Sequence, residues 1–140
     1  MKTIKFLLAM GLLLSTLACN GQAKPKVVKT TTATEKIEVL YFHFTARCVT
    51  CNIVEAEAKK NVEALYPDLV KAGTISFKSL DIEDKTTGPL AKKHKVYGQS
   101  LLIVKGSKKE DITNDGFLYA RSNPEKFKKK IKETIDEFLN

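Results

Sequence analysis

Residues 37–44 read IEVLYFHF, and four positions on comes the unit Cys48-Val49-Thr50-Cys51. Apart from Glu38, every residue of the run is apolar, aromatic or His. A short, nearly continuous run of this kind, rich in aromatics, suits a strand buried on both faces. Thr45-Ala46-Arg47 is a brief turn, and from residue 49 to 65 the pattern becomes helical. Val54, Ala58, Val62 and Leu65 fall on one stripe, while Glu55, Glu57, Lys59 and Lys60 take the wetter face. Pro67 cannot continue that helix. The cysteine pair therefore stands where a buried strand hands over to a helix.

The rest of the chain repeats the alternation. Gly73 permits a turn into a second strand over residues 74–81, TISFKSLD. A short helix is expected over 86–95, with Gly88-Pro89 near its start and Leu90 and Ala91 on its inner side. LLIV at 101–104 is a third buried strand, 106–109 a polar turn, and 117–120 a short fourth strand. Asn123 is an N-cap candidate with Pro124 in the first helical position. Phe127, Ile131, Ile135 and Phe138 (or Leu139) form the apolar stripe of a terminal helix. The expected order is β-α-β-α-β-β-α, an α/β domain. Helix-separated strands pair in parallel, and the last two strands form an antiparallel edge.

The 140 residues allow one domain plus a short extension. At this size roughly two-thirds of the unfolded surface can be buried. With 43% hydrophobic and 29% charged residues the composition is globular, which excludes wholesale disorder. Three cysteines are too few for a disulfide-knotted mini-domain or a four-thiolate zinc site. The net charge of +8 invites a nucleic-acid reading. The basic residues are nearly all scattered Lys, with one run at Lys128-Lys129-Lys130, and no nucleic-acid module accompanies them, so no nucleic-acid partner is expected.

The N-terminus is an export signal. Lys2 and Lys5 precede an apolar stretch over 6–17, too short to span a bilayer comfortably, and small residues follow at Ser15, Thr16 and Ala18. Cys19 resembles the acylated cysteine of bacterial lipoproteins, with residues 1–18 removed, although Thr16 and Leu17 depart from the usual pattern. Ordinary signal-peptidase cleavage after Ala18 or Ala23 is the alternative. Residues 19–36, polar and Thr-rich, read as a flexible tether, and residues 37–140 as the folded domain.

At a helix start, the first cysteine of a CxxC lies near unpaired backbone N–H groups and the positive end of the helix dipole, which favour thiolate over thiol. The thiolate is the form that attacks disulfides. Arg47 adds a nearby positive charge, and Cys51, more buried, would resolve the mixed disulfide. His43 has three readings: a half-buried strand His, a group that tunes the Cys48 thiolate or exchanges a proton with it, or a third ligand in a Cys48-Cys51-His43 metal set. His94, on a Lys-rich helix, is expected at the surface. Lys78 and Glu55 are candidate proton carriers. A Cys48–Cys51 disulfide could also be a static staple. Its loop is so small that its stabilisation would fall below the ~3 kcal/mol of a 15-residue loop.

From residue 37 to 140 the chain resembles the thioredoxin superfamily, on the CxxC placement, the element order and the phrase VYGQSLLI at 96–103. More closely, it resembles small exported thioredoxin-like lipoproteins of Gram-negative bacteria. The resemblance implies a four-stranded mixed sheet flanked by helices, a dithiol at a helix tip and thiol–disulfide exchange. Cys48 would be the nucleophile, Cys51 the resolving thiol, and the two would form a disulfide. Backbone groups of Gln99 and Ser100 would hold an extended substrate segment. No cofactor is implied. The partners would be protein dithiols or disulfides and a redox partner, with the domain a monomer held at a periplasmic membrane by its lipid. Four positions depart from the family: Arg47 replaces a Trp, Val49-Thr50 a Gly-Pro, Phe42 a buried acid, and no Pro stands at the cis-Pro position, with which Ser100 aligns best. The rival readings are a thioredoxin-like binding module with an idle CxxC and a periplasmic metal-binding protein using Cys48, Cys51 and His43.

Overall fold

The alternating apolar residues of the first strand decide the layering. In the computed structural model, which describes residues 35–140, β1 (Ile37–His43) sends Ile37, Val39 and Tyr41 into one hydrophobic cluster. Leu40 and Phe42 enter a second cluster. A period-two strand with large apolar groups on both sides must be covered on both. The cover on the first side comes from α1 (Val49–Leu65), α4 (Thr113–Tyr119) and α5 (Pro124–Leu139); on the second, α3 (Gly88–His94) supplies Leu90 and Ala91. The signal, lipidation and tether readings for residues 1–34 fall outside the described residues.

Four strands form one mixed sheet, in the order β2 (Ile75–Asp81), β1, β3 (Ser100–Lys105) and β4 (Lys108–Asp111). Parallel to β1 runs β2, with Ile37 opposite Ile75 and His43 opposite Asp81. On the other side β3 is antiparallel, with Phe42 opposite Ser100. The α1 segment between β1 and β2 is the long crossover that a parallel pair requires. Tyr66 closes α1, and Pro67 opens the short α2 (Pro67–Lys71), where its missing N–H costs nothing. Gly73, at φ +71°, then turns the chain into β2.

One expectation is overturned. The fourth strand lies not at 117–120 but at β4 (Lys108–Asp111), paired antiparallel with β3, and residues 117–119 belong to α4. The sequence Lys108-Lys109-Glu110-Asp111 carries no strand-like apolar pattern, and its side chains are exposed. It is recruited by main-chain pairing to β3 through a tight turn at Gly106, φ +58°, and its charges guard the open sheet edge. The apolar residues at 117–120 serve a helix instead. Gly116 and Ala120 are buried against α1 and α5, and a Cβ at Gly116 would stand 3.1 Å from Val54 Cγ1. Four apolar positions cannot by themselves separate strand from helix.

The terminal helix follows the expected pattern. The Asn123 side chain accepts a hydrogen bond from the Lys126 amide at 3.2 Å, and Pro124 occupies the first turn. Phe138 completes the buried stripe and Leu139 is exposed. Lys105 and Lys108 donate to the Phe138 and Glu137 carbonyls at 2.5 and 3.0 Å, satisfying orphan groups at the end of α5. His94 departs from its expected surface position. It shares the inner side of α3 with Ala91, is 8% exposed, and its Nε2 has no hydrogen-bond partner.

Candidate functional site: the Cys48–Cys51 pair

The site begins with a helix that starts on a cysteine. Cys48 is the N-cap of α1, in extended conformation, and its Sγ accepts from the Cys51 amide at 3.3 Å. A cap must offer an acceptor to the orphan amides of the first turn, so the Cys48 sulfur stands at the positive end of the helix. The Asn52 amide donates to the Cys48 carbonyl, 3.2 Å away. Residue 51, one turn in, is brought back beside residue 48: the Cα atoms are 5.2 Å apart and the sulfurs are bonded. Their surroundings differ sharply. Cys48 is exposed, whereas Cys51 is only 2% exposed.

Three segments hold this corner. Beneath it, the buried Tyr41 of β1 donates its hydroxyl to the Cys51 carbonyl at 3.0 Å. Burial pushes the Tyr41 phenol above its ordinary range, with the Arg47 charge opposing. The loop before Cys48 is tied to the end of β2. The Thr45 hydroxyl donates to Asp81 at 2.6 Å, and the Thr45 amide to Glu83 at 2.8 Å. The Thr45 hydroxyl and the Glu83 amide hold the Asp81 carboxyl below its usual range, with smaller help from His43 and Arg47. From the third segment the Gln99 side-chain amide donates to Cys51 Sγ, Nε2 to sulfur being 3.2 Å, with Oε1 3.5 Å away.

The expected site residues separate into those the fold brings to the dithiol and those it does not. Cys48, Cys51 and Gln99 converge. Gln99 does so through its side chain, a contact no sequence pattern announced; the expectation concerned its backbone. Ser100 enters the ladder opposite Phe42, and its hydroxyl donates to the Gly98 carbonyl at 3.3 Å. Arg47 forms an ion pair with Glu55, so part of its charge is spent on α1 rather than offered to Cys48. Lys78 pairs with Glu38 at 2.5 Å on the strands. Glu55 and Lys78 are thus both engaged in ion pairs. His43 has Nδ1 2.8 Å from the Phe44 carbonyl and its ring beside Tyr41, centroids 5.9 Å apart; no hydrogen bond links it to either sulfur. Among the described residues no cluster of three or more His, Cys, Asp or Glu side chains is placed to hold a metal ion while the two sulfurs are bonded to each other. Phe44 just after β1, Val49 in the first turn of α1 and Tyr97, two residues before Gln99, are exposed apolar side chains, Tyr97 by 90%.

No protein-family model and no curated protein matches the chain. A solved structure described as "Structure of a malarial protein" is similar over 61% of this chain and 93% of its own, at 18% identity and a TM-score of 0.41, a likeness that carries no argument. What the residues themselves define is an α/β domain with a four-stranded mixed sheet flanked by helices and a cysteine pair at the start of α1. Among the described residues no helix is long and apolar enough to cross a membrane.

Proposed function

We propose that the chain is an exported, lipid-anchored, thioredoxin-like thiol–disulfide oxidoreductase acting on protein substrates at a periplasmic membrane. The observation that carries the reading is the asymmetry of the pair: an exposed sulfur at a helix N-cap, bonded to a buried sulfur one turn further in. A static staple needs no such asymmetry, whereas exchange does. The exposed Cys48 meets the substrate while Cys51 stays out of solvent. In one direction the Cys48 thiolate attacks a substrate disulfide, the substrate leaves one thiolate, and Cys51 then attacks Cys48 Sγ, closing the internal disulfide and releasing the second. Two electrons pass from the protein dithiol to the substrate. The reverse sequence oxidises a substrate dithiol. The helix N-terminus lowers the cost of the Cys48 thiolate. The exposed Val49, next in chain to Cys48, offers a substrate segment apolar contact.

The test is the reduction potential of the pair, read by mass spectrometry of trapped Cys48 and Cys51 peptides after equilibration in glutathione buffers. A value between about −270 and −120 mV belongs to working oxidoreductases. A value below about −300 mV belongs to a structural disulfide and would overturn the proposal in favour of a binding module with an idle CxxC.

A further inference from the structure

We propose that the Gln99 side chain is the group that stabilises the Cys51 thiolate, through the Nε2–H bond it already makes to Cys51 Sγ. This rests on the oxidoreductase reading above. Exchange in either direction requires negative charge on the buried sulfur: Cys51 is the attacking thiolate when the internal disulfide closes and the leaving thiolate when it opens. Burial in an apolar setting opposes that charge. Tyr41 does not relieve it, because its hydroxyl is given to the Cys51 carbonyl. Nor do the cations that the sequence offered for the role: Arg47 is paired with Glu55 and Lys78 with Glu38, and His43 makes no hydrogen bond to either sulfur. The residue of β1 that lies opposite Ser100, Phe42, has no proton to give. The Gln99 amide remains, with Nε2 at 3.2 Å and Oε1 at 3.5 Å from the sulfur.

An amide edge at these distances can serve both states of Cys51. Its oxygen can accept from the S–H of the thiol, and its N–H donates to the thiolate. A donor already in place when the charge develops needs no reorganisation, the condition under which such bonds are most effective. Gln99 does not take the proton. That leaves for solvent, which reaches this half-buried side chain, so the amide acts by holding the charge. Its placement is specific to Cys51, since the Cys48 sulfur is instead bonded by the Cys51 amide.

Stopped-flow reaction of the reduced full chain with the aromatic disulfide dithionitrobenzoate, with Cys19 replaced by Ser, separates the two sulfurs. A bimolecular phase reports attack by Cys48 and releases one aromatic thiolate. A unimolecular phase follows as Cys51 attacks Cys48 Sγ and releases the other. In Gln99→Leu the second phase slows by about 5- to 20-fold relative to the first, and its pH midpoint rises. Gln99→Glu, nearly the same shape, tests the point even if the Leu variant folds poorly. Its carboxylate slows the second phase further at pH 8 and moves the midpoint higher still, which a merely structural role would not produce. A second phase with wild-type rate and midpoint in Gln99→Glu would overturn the assignment while leaving the oxidoreductase reading standing. A wild-type protein that shows no second phase would remove that reading and this inference with it.

Discussion

The two faces of the sheet are built to different depths. The face under α1, α4 and α5 gathers fifteen buried residues into one cluster, and the face under α3 gathers five. Both share β1, whose residues point alternately into each. The dithiol belongs to the thick face: Cys51 is one turn before Glu55 on α1, next to Val54, and Tyr41 reaches it from below. Each face also holds one buried polar atom without a hydrogen-bond partner, Asn61 Nδ2 on α1 and His94 Nε2 on α3. The proposed exchange at Cys48 needs a sulfur fixed in direction. The helix carrying it is anchored by the deeper core, and what separates the two layers is the amount of apolar packing rather than the satisfaction of buried polar groups.

Truncating one apolar side chain on each face shows the difference in depth as a difference in stability. Phe127→Ala, in the thick face with its side chain fully buried, should cost about 3–5 kcal/mol in denaturant unfolding. Leu90→Ala, half-buried over the thin face, should cost about 1–2 kcal/mol. Equal losses would mean that the two layers contribute alike.

Smaller effects are expected where hydrogen bonds tie the layers to the site. Tyr41→Phe removes the bond to the Cys51 carbonyl inside the core and should cost about 1 kcal/mol. The amide protons of the first turn of α1 should exchange faster, as hydrogen exchange would show. Unchanged protection there would deny that β1 steadies the dithiol from below. Tyr66→Phe tests the far end of the same helix, where the hydroxyl donates to Asp136 at 2.7 Å; its cost should be below about 1 kcal/mol because the site is partly exposed. Burial and the Asp136 carboxylate push the Tyr66 phenol well above its usual range, so the wild-type contribution is present below pH 10 and is lost as pH rises further. Thermal melts of wild type and Tyr66→Phe should therefore converge in strong alkali.

The smallest effect concerns the thin face. Burial, with Lys93 and Lys109 adding to it and Glu38 opposing, holds the His94 imidazole below its ordinary range. The unfolded chain then binds the proton more readily, so stability is full above about pH 6.5 and declines as pH falls below it. His94→Leu should flatten the melting temperature between pH 7.5 and 5.5 while costing little at neutral pH. A slope equal to wild type would place the acid sensitivity elsewhere.

Much of the fold was legible because periodicity and punctuation agreed. IEVLYFHF, the stripe from Val54 to Leu65, the break at Pro67 and the Asn123-Pro124 start each carry their own physical cause. The element at 117–120 was misread because four apolar positions fit either period. The Lys108–Asp111 strand was hidden because an edge strand is recruited by main-chain pairing, which leaves no side-chain signature. His94 shows the same limit: its lysine neighbours made the whole helix look wet, whereas the inner side of α3 buries it beside Ala91.

The cysteine pair divides in the same way. That two sulfurs meet at a helix start follows from local chain geometry, because residues three apart on a first turn come together and the strand before them is set by its own hydrophobicity. Their surroundings come from long-range packing. It paired Arg47 with Glu55, left His43 unbonded to either sulfur, and carried Gln99 across 48 positions of chain to Cys51. Contacts of that length depend on which strand lies beside which, and pairing β3 against β1 is a property of the whole sheet rather than of any one segment.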